Sequence, residues 1–166
     1  MEGFIAWWAG GIGQYLTPQL SVFLVSMIPL IEERGGLILA GPLFLGLPLW
    51  EAVMWCVIGN IIPVPFILFG IKKLLHWMSD HHLSRIAEWI ENKAIRNKPK
   101  IDEFGFWGLV LFVGIPLPGT GAWTGTLVAS LFDMDVKKAS VSILVGIFMA
   151  AVIMTTLSYG IGGLFS

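Results

Sequence analysis

Two apolar stretches of this chain each contain Ile-Pro-Leu and then break off, at Ile28-Pro29-Leu30 and at Ile115-Pro116-Leu117. The first continues as Glu32-Glu33-Arg34-Gly35-Gly36, the second as Pro118-Gly119-Thr120-Gly121-Ala122-Trp123-Thr124-Gly125. Charges and turn residues inside an apolar segment are costly, because side chain and backbone lose their water there. With 56% hydrophobic residues, 13% charged residues and a mean hydropathy of +0.82 over 166 residues, the chain reads as an integral membrane protein. In that solvent, matching breaks in two halves point to a transport site built from discontinuous helices.

Composition also removes several function classes. A formal net charge of −1 and a pI of about 6.3 leave no basic surface for nucleic acid. The single cysteine, Cys56, has neither a disulfide partner nor metal-ligand spacing around it, and reads as a small buried apolar residue. No Ser-His-Asp set, Gly-Lys-Thr phosphate loop or metal quartet is present, so neither an enzyme nor a resident cofactor is expected. Residues 1–17 lack a basic leader region and carry two tryptophans and a tyrosine. They read as an interfacial segment, short of the ~20 apolar residues that a spanning helix needs.

The polar stretch 72–103 holds seven of the ten basic residues, which makes it cytoplasmic by the positive-inside rule. Leu83, Ile86, Ala87, Ile90 and Ala94 recur there at helical spacing, as in an amphipathic helix lying on the inner surface. His81 and His82 beside Asp80 read as polar surface, not as a metal site. The flanking segments, 18–71 and 104–166, align at an offset of 87 positions, which also superposes Ala52 on Ala139 and Gly59 on Gly146.

Each half reads as a broken apolar stretch, 18–47 or 104–132, followed by a long helix, Leu49–Ile71 or Lys138–Gly163. Pro63 and Pro65 should kink or unwind the first long helix near Asn60. With the central stretch inside, two re-entrant hairpins would enter from opposite sides and meet near the midplane. The expected fold is therefore an all-α, multi-pass protein of the cell membrane, one domain built as an inverted repeat with a cytoplasmic amphipathic linker. A kinked spanning helix in each broken stretch is the alternative, and it would set charges and glycines against lipid.

The first tip brings the charges Glu32, Glu33 and Arg34. Arg34 could pair with Glu32 or with an anionic substrate, since a guanidinium stays protonated and binds phosphate oxygens bidentately. A buried carboxylate could carry protons, and Glu32 is favoured over Glu33 for that role. The second tip brings Gly119, Thr120, Gly121, Trp123 and Thr124, a tight turn leading into a helix N-terminus whose free N–H groups suit an anion. Glycine–threonine runs also pack membrane helices closely, and Trp123 could stack on a substrate or fill an interface. Asn60 could bridge the proline joint or line the cavity. A chain this small offers limited cavity wall, which is compatible with a homodimer.

On Glu32-Glu33-Arg34-Gly35, Gly59-Asn60, Pro63-Val64-Pro65-Phe66 and the run from Ile115 to Gly125, the sequence resembles the small multidrug export protein family. That family resembles in turn the DedA or SNARE-associated (VTT) membrane proteins, and the resemblance covers about residues 20–160. The label implies export of small amphiphilic or cationic compounds. The wider resemblance implies transport of a membrane lipid such as the phosphate-bearing carrier undecaprenyl phosphate, through paired re-entrant hairpins. The second membrane-embedded arginine of DedA proteins has no counterpart here. The expected function is proton-coupled transport of an anionic amphiphile or lipid carrier by alternating access. Drug export and a non-transporting structural role are the alternatives.

Overall fold

The computed structural model describes Gly3, Trp7, Trp8 and residues 10–80, 84–102 and 105–160. Among these, every regular element is helical: after a 3-10 turn at Ile12–Tyr15 come α1 (Pro18–Met27), α2 (Glu32–Ala40), α3 (Leu49–Ile61), α4 (Pro63–Asp80), α5 (Ser84–Asp102), α6 (Gly105–Gly114), α7 (Ala122–Leu131) and α8 (Val136–Thr155). A π turn, Thr156–Gly160, follows α8. Two continuous apolar helical runs, Leu49–Met78 and Val136–Gly160, are long enough to cross a membrane. The rest of the N-terminal segment, His81, His82, Glu103 and the expected helix end at Gly163 lie outside the described residues.

Local chemistry sets the boundaries. Thr17 caps α1, its hydroxyl accepting from the Leu20 N–H at 3.3 Å, and Pro18 takes the first helical position, where its missing N–H costs nothing. Asp135 caps α8 in the same way through the Lys138 N–H at 2.9 Å. Ile28, just before Pro29, is extended at φ −73°, ψ 128°, as the proline ring requires, and this ends α1. The first break therefore lies at Ile28–Ile31, and Glu32 to Gly36 are helical, contrary to the expectation that the charged run is itself the break. Gly36 is useful inside α2 because a Cβ there would overlap Ser26 on α1 and Cys56 on α3. The second break does fall on the Pro-Gly-Thr-Gly run, between Gly114 and Ala122.

The joint between α3 and α4 sits at Ile62, in front of Pro63, where a kink was expected. The helix after it runs on to Asp80, past the expected end at Ile71, because Leu75 and Met78 bury against Ala87 of α5. Ala87 and Ala94 let α5 approach α4, α6 and α7 closely, while Ile86 and Trp89 remain exposed.

The first half packs α1, α2 and α3 together around Val22, Val25, Leu37, Ala52 and Cys56. The second packs α6, α7 and α8 around Val113, Val128, Ile143 and Ile147, with α4 against α7. The 87-residue offset recurs in the coordinates. α3 and α8 begin 87 positions apart, at Leu49 and Val136. A Cβ on Gly59 would lie 2.5 Å from Phe23 O and 3.1 Å from the Ser26 Cβ; one on Gly146 would lie 3.0 Å from Val110 O and 2.6 Å from the Val113 Cβ. Phe23 and Val110, like Ser26 and Val113, are again 87 apart, so the same helix pair is closed at the same register in both halves. Positive φ also repeats at that spacing, at Gly46 and Asp133 and at Glu32 and Gly119.

Candidate functional site

Glu32 opens α2 with φ +53°, and Leu30, in the turn before it, has φ +72°. Non-glycine residues rarely adopt such values. The Glu32 carboxylate reaches across to the other half of the chain, where Oε2 accepts from the Ala122 N–H and Oε1 from the Trp123 N–H, each at 3.0 Å. These are orphan donors of the first turn of α7, so a residue 90 positions away acts as that helix's cap and meets the positive end of its dipole. Gly121 makes this possible. It has φ +129°, and a Cβ there would overlap the Glu32 carboxylate.

Arg34 grips the other side of the same turn. Its Nη1 donates to Leu117 O at 2.9 Å and Thr120 O at 3.2 Å; its Nη2 donates to Val113 O and Ile115 O, both at 3.3 Å, and to Thr120 Oγ1 at 3.2 Å. Those carbonyls include the unsatisfied end of α6, where a cation is favoured. The two Nη groups of Arg34 thus donate to backbone and one hydroxyl, while its buried Nε has no hydrogen-bond partner. Thr120 reinforces the turn by donating to Leu117 O at 2.8 Å. Gly119, at φ +81°, supplies a turn conformation that side chains rarely take.

Glu33 points elsewhere. It is buried, its Oε2 has no hydrogen-bond partner, and it lies beside the buried side chain of Asn60 of α3. Ser26 and Cys56 complete this interior group. The nine residues singled out in the sequence therefore separate into a latch (Glu32, Arg34, Gly119, Thr120, Gly121), an interior pair (Glu33, Asn60) and two cavity-lining residues, Trp123 and Thr124.

Cavities lie on both sides of the latch. One of about 220 Å³ is bounded by Leu30, Ile67, Trp89, Lys93, Trp123 and Thr124. Another of about 440 Å³ is bounded by Leu30, Arg34, Ile38, Leu117, Thr120 and Met154. Leu30 lines both. Sequence reasoning missed Lys93, although its i, i+4 spacing from Trp89 beside Ile90 could have revealed it. It also missed the carbonyls of Val113, Ile115 and Leu117, for which no side-chain signal exists.

The profile of the family described as "Putative small multi-drug export protein" matches residues 32–153, from Glu32 of the latch to within three residues of the end of α8. The chain belongs to this family. The match contains all nine residues named above, together with the Pro63 joint and α5. The family's name is that of a transporter, and the two spanning-length apolar helices agree with a membrane protein. Comparison with curated proteins and with solved structures gives no match.

Proposed function

We propose that this chain moves an anionic amphiphile, such as a phosphate-bearing lipid carrier, across the cell membrane by alternating access coupled to protons. In this reading α1–α2 and α6–α7 are re-entrant hairpins of an inverted repeat related to the DedA type, and α5 is cytoplasmic. The observation that carries it is the pair of cavities that share Leu30 beside the latch. One is bounded by α4, α5 and α7, the other by α2, α8 and the Ile115–Gly121 turn. Opening the Leu30 turn toward one while closing it to the other gives alternating access without moving the long helices apart.

The latch supplies the coupling. Glu32 occupies the α7 N-terminus, the place an anionic head group would take. A head group can replace it only when Glu32 withdraws or takes up a proton, which links substrate occupancy to proton uptake. Glu33, buried beside Asn60 with an unpartnered oxygen, is the second proton carrier, since an ionised carboxylate is costly there. That same carboxylate favours a second reading, export of a cationic compound neutralised by Glu33.

Proteoliposomes separate the two. The primary reading expects a fluorescent phosphatidate to cross faster with protein than without it, and faster still under a pH gradient. Movement of a lipophilic cation alone would select drug export. Equal rates in protein-containing and empty vesicles, for both probes, would leave only a structural role.

A further inference from the structure

We propose that Lys93, on the α5 side of the latch, reads the anionic end of the transported amphiphile, and that the cleft between α4, α5 and α7 is its loading site. This rests on the function proposed above and adds a residue and a place to it. Lys93 is the one formal charge among the residues bounding the 220 Å³ cavity, whose walls are otherwise Pro29, Leu30, Ile67, Trp123, Leu127 and similar groups. It is half-buried and takes part in none of the salt bridges among the described residues, unlike Lys72, which pairs with exposed Asp133. Its ammonium sits 5.6 Å from the centroid of the Trp89 ring, a contact that holds a cation in place while leaving its charge uncompensated. Burial pushes the Lys93 pKa down, and the Glu32 carboxylate, the facing acid, opposes that shift. The first effect favours an arriving anion, which offsets the desolvation of Lys93, and the second opposes it, so the anion binds best once Glu32 is protonated or withdrawn.

The adjoining space says what is attached to the anion. A second cavity of about 510 Å³ shares Ile67, Ile71 and Trp123 with the first and continues along α4 past Pro63, Phe66, Gly70 and Leu74 without a charged group. From Pro63 to Leu74 this groove follows the helix for about 16 Å. Phe66 and Leu74 are exposed along it. A free phosphate gains nothing from such walls, whereas an alkyl chain does, so the occupant is a phosphate monoester on an alkyl chain.

Calorimetric titration of the whole protein in phosphatidylcholine nanodiscs tests this with dodecyl phosphate, inorganic phosphate and dodecyltrimethylammonium. The wild type should bind dodecyl phosphate and bind inorganic phosphate far more weakly. Lys93→Glu should lose about tenfold or more in affinity, and Lys93→Arg should retain most of it. Lys137→Glu, at the exposed start of α8, should leave the affinity unchanged. Retained shielding of the buried Cys56 thiol reports that each variant is folded. Equal affinity of folded Lys93→Glu and wild type for dodecyl phosphate would overturn the role of Lys93 while leaving the anionic substrate standing. Binding of inorganic phosphate as tight as that of dodecyl phosphate would overturn the amphiphile assignment. Binding of dodecyltrimethylammonium alone would overturn both this inference and the function on which it rests.

Discussion

Glu32→Gln tests whether the latch joins the two halves. The wild-type carboxylate receives two N–H donors at 3.0 Å, one on each oxygen. The amide keeps one acceptor and turns an NH₂ toward the other donor, so one charge-assisted hydrogen bond is lost and a buried N–H is left facing a donor. Removing one partner of a charge-assisted hydrogen bond and leaving a buried donor unsatisfied costs about 1–3 kcal/mol, and the weakened second bond adds about 1 kcal/mol, so we expect a loss of about 2–4 kcal/mol. At ~2–4 °C per kcal/mol for a chain of this size, the melting temperature should fall by about 5–15 °C. Cys56 offers the readout, being the single cysteine and fully buried, so a thiol-reactive fluorophore reports unfolding in detergent without engineered labels. A Glu32→Gln protein that melts within ~1 °C of wild type would refute the capping role, because one oxygen cannot replace two acceptors at a helix N-terminus.

Three further outcomes follow from the same geometry. Arg34→Lys should lower the melting temperature despite keeping the charge, by roughly 1.5–3 kcal/mol in stability, because an ammonium cannot span carbonyls from Val113 to Thr120 as the planar fork does. Gly59→Ala and Gly146→Ala should each cost about 1–3 kcal/mol by overpacking equivalent helix contacts, and the double substitution should be additive to ~0.5 kcal/mol, since the two contacts lie in different halves. Strong non-additivity in the thiol assay would show that the halves do not pack independently. Glu33→Gln should leave stability unchanged or raised, since a neutral amide beside Asn60 removes a buried acid with an unpartnered oxygen. Its transport in proteoliposomes should no longer respond to a pH gradient; a gradient response equal to that of wild type would remove Glu33 from the coupling scheme.

The sequence exposed those features that depend on residue type and lost those that depend on backbone. The two breaks, the proline joint and the 87-residue offset were legible because proline, glycine and charge are conspicuous in an apolar chain. Which residues form the first break was not. Glu32 to Gly36 look like a turn by composition, and become helix because Gly36 fits between Ser26 and Cys56, a tertiary fact. The partners of Arg34 are main-chain carbonyls, which every residue carries, so a sequence has no way of marking them. The same limit hid how the two glutamates differ: Glu32 accepts from two backbone N–H groups of α7, whereas Glu33 keeps a buried oxygen without a partner.

The backbone at residue 32 gives a physical reason why a glutamate stands there. Position 32 and its counterpart 119 share a left-handed backbone, and at 119 the residue is glycine, which adopts it without strain. A glutamate in that conformation costs on the order of 1 kcal/mol or more. Two charge-assisted bonds to Ala122 and Trp123 more than offset the strain, so the left-handed turn serves to aim the carboxylate at α7. Without those two bonds, the strain at residue 32 would have no opposing term.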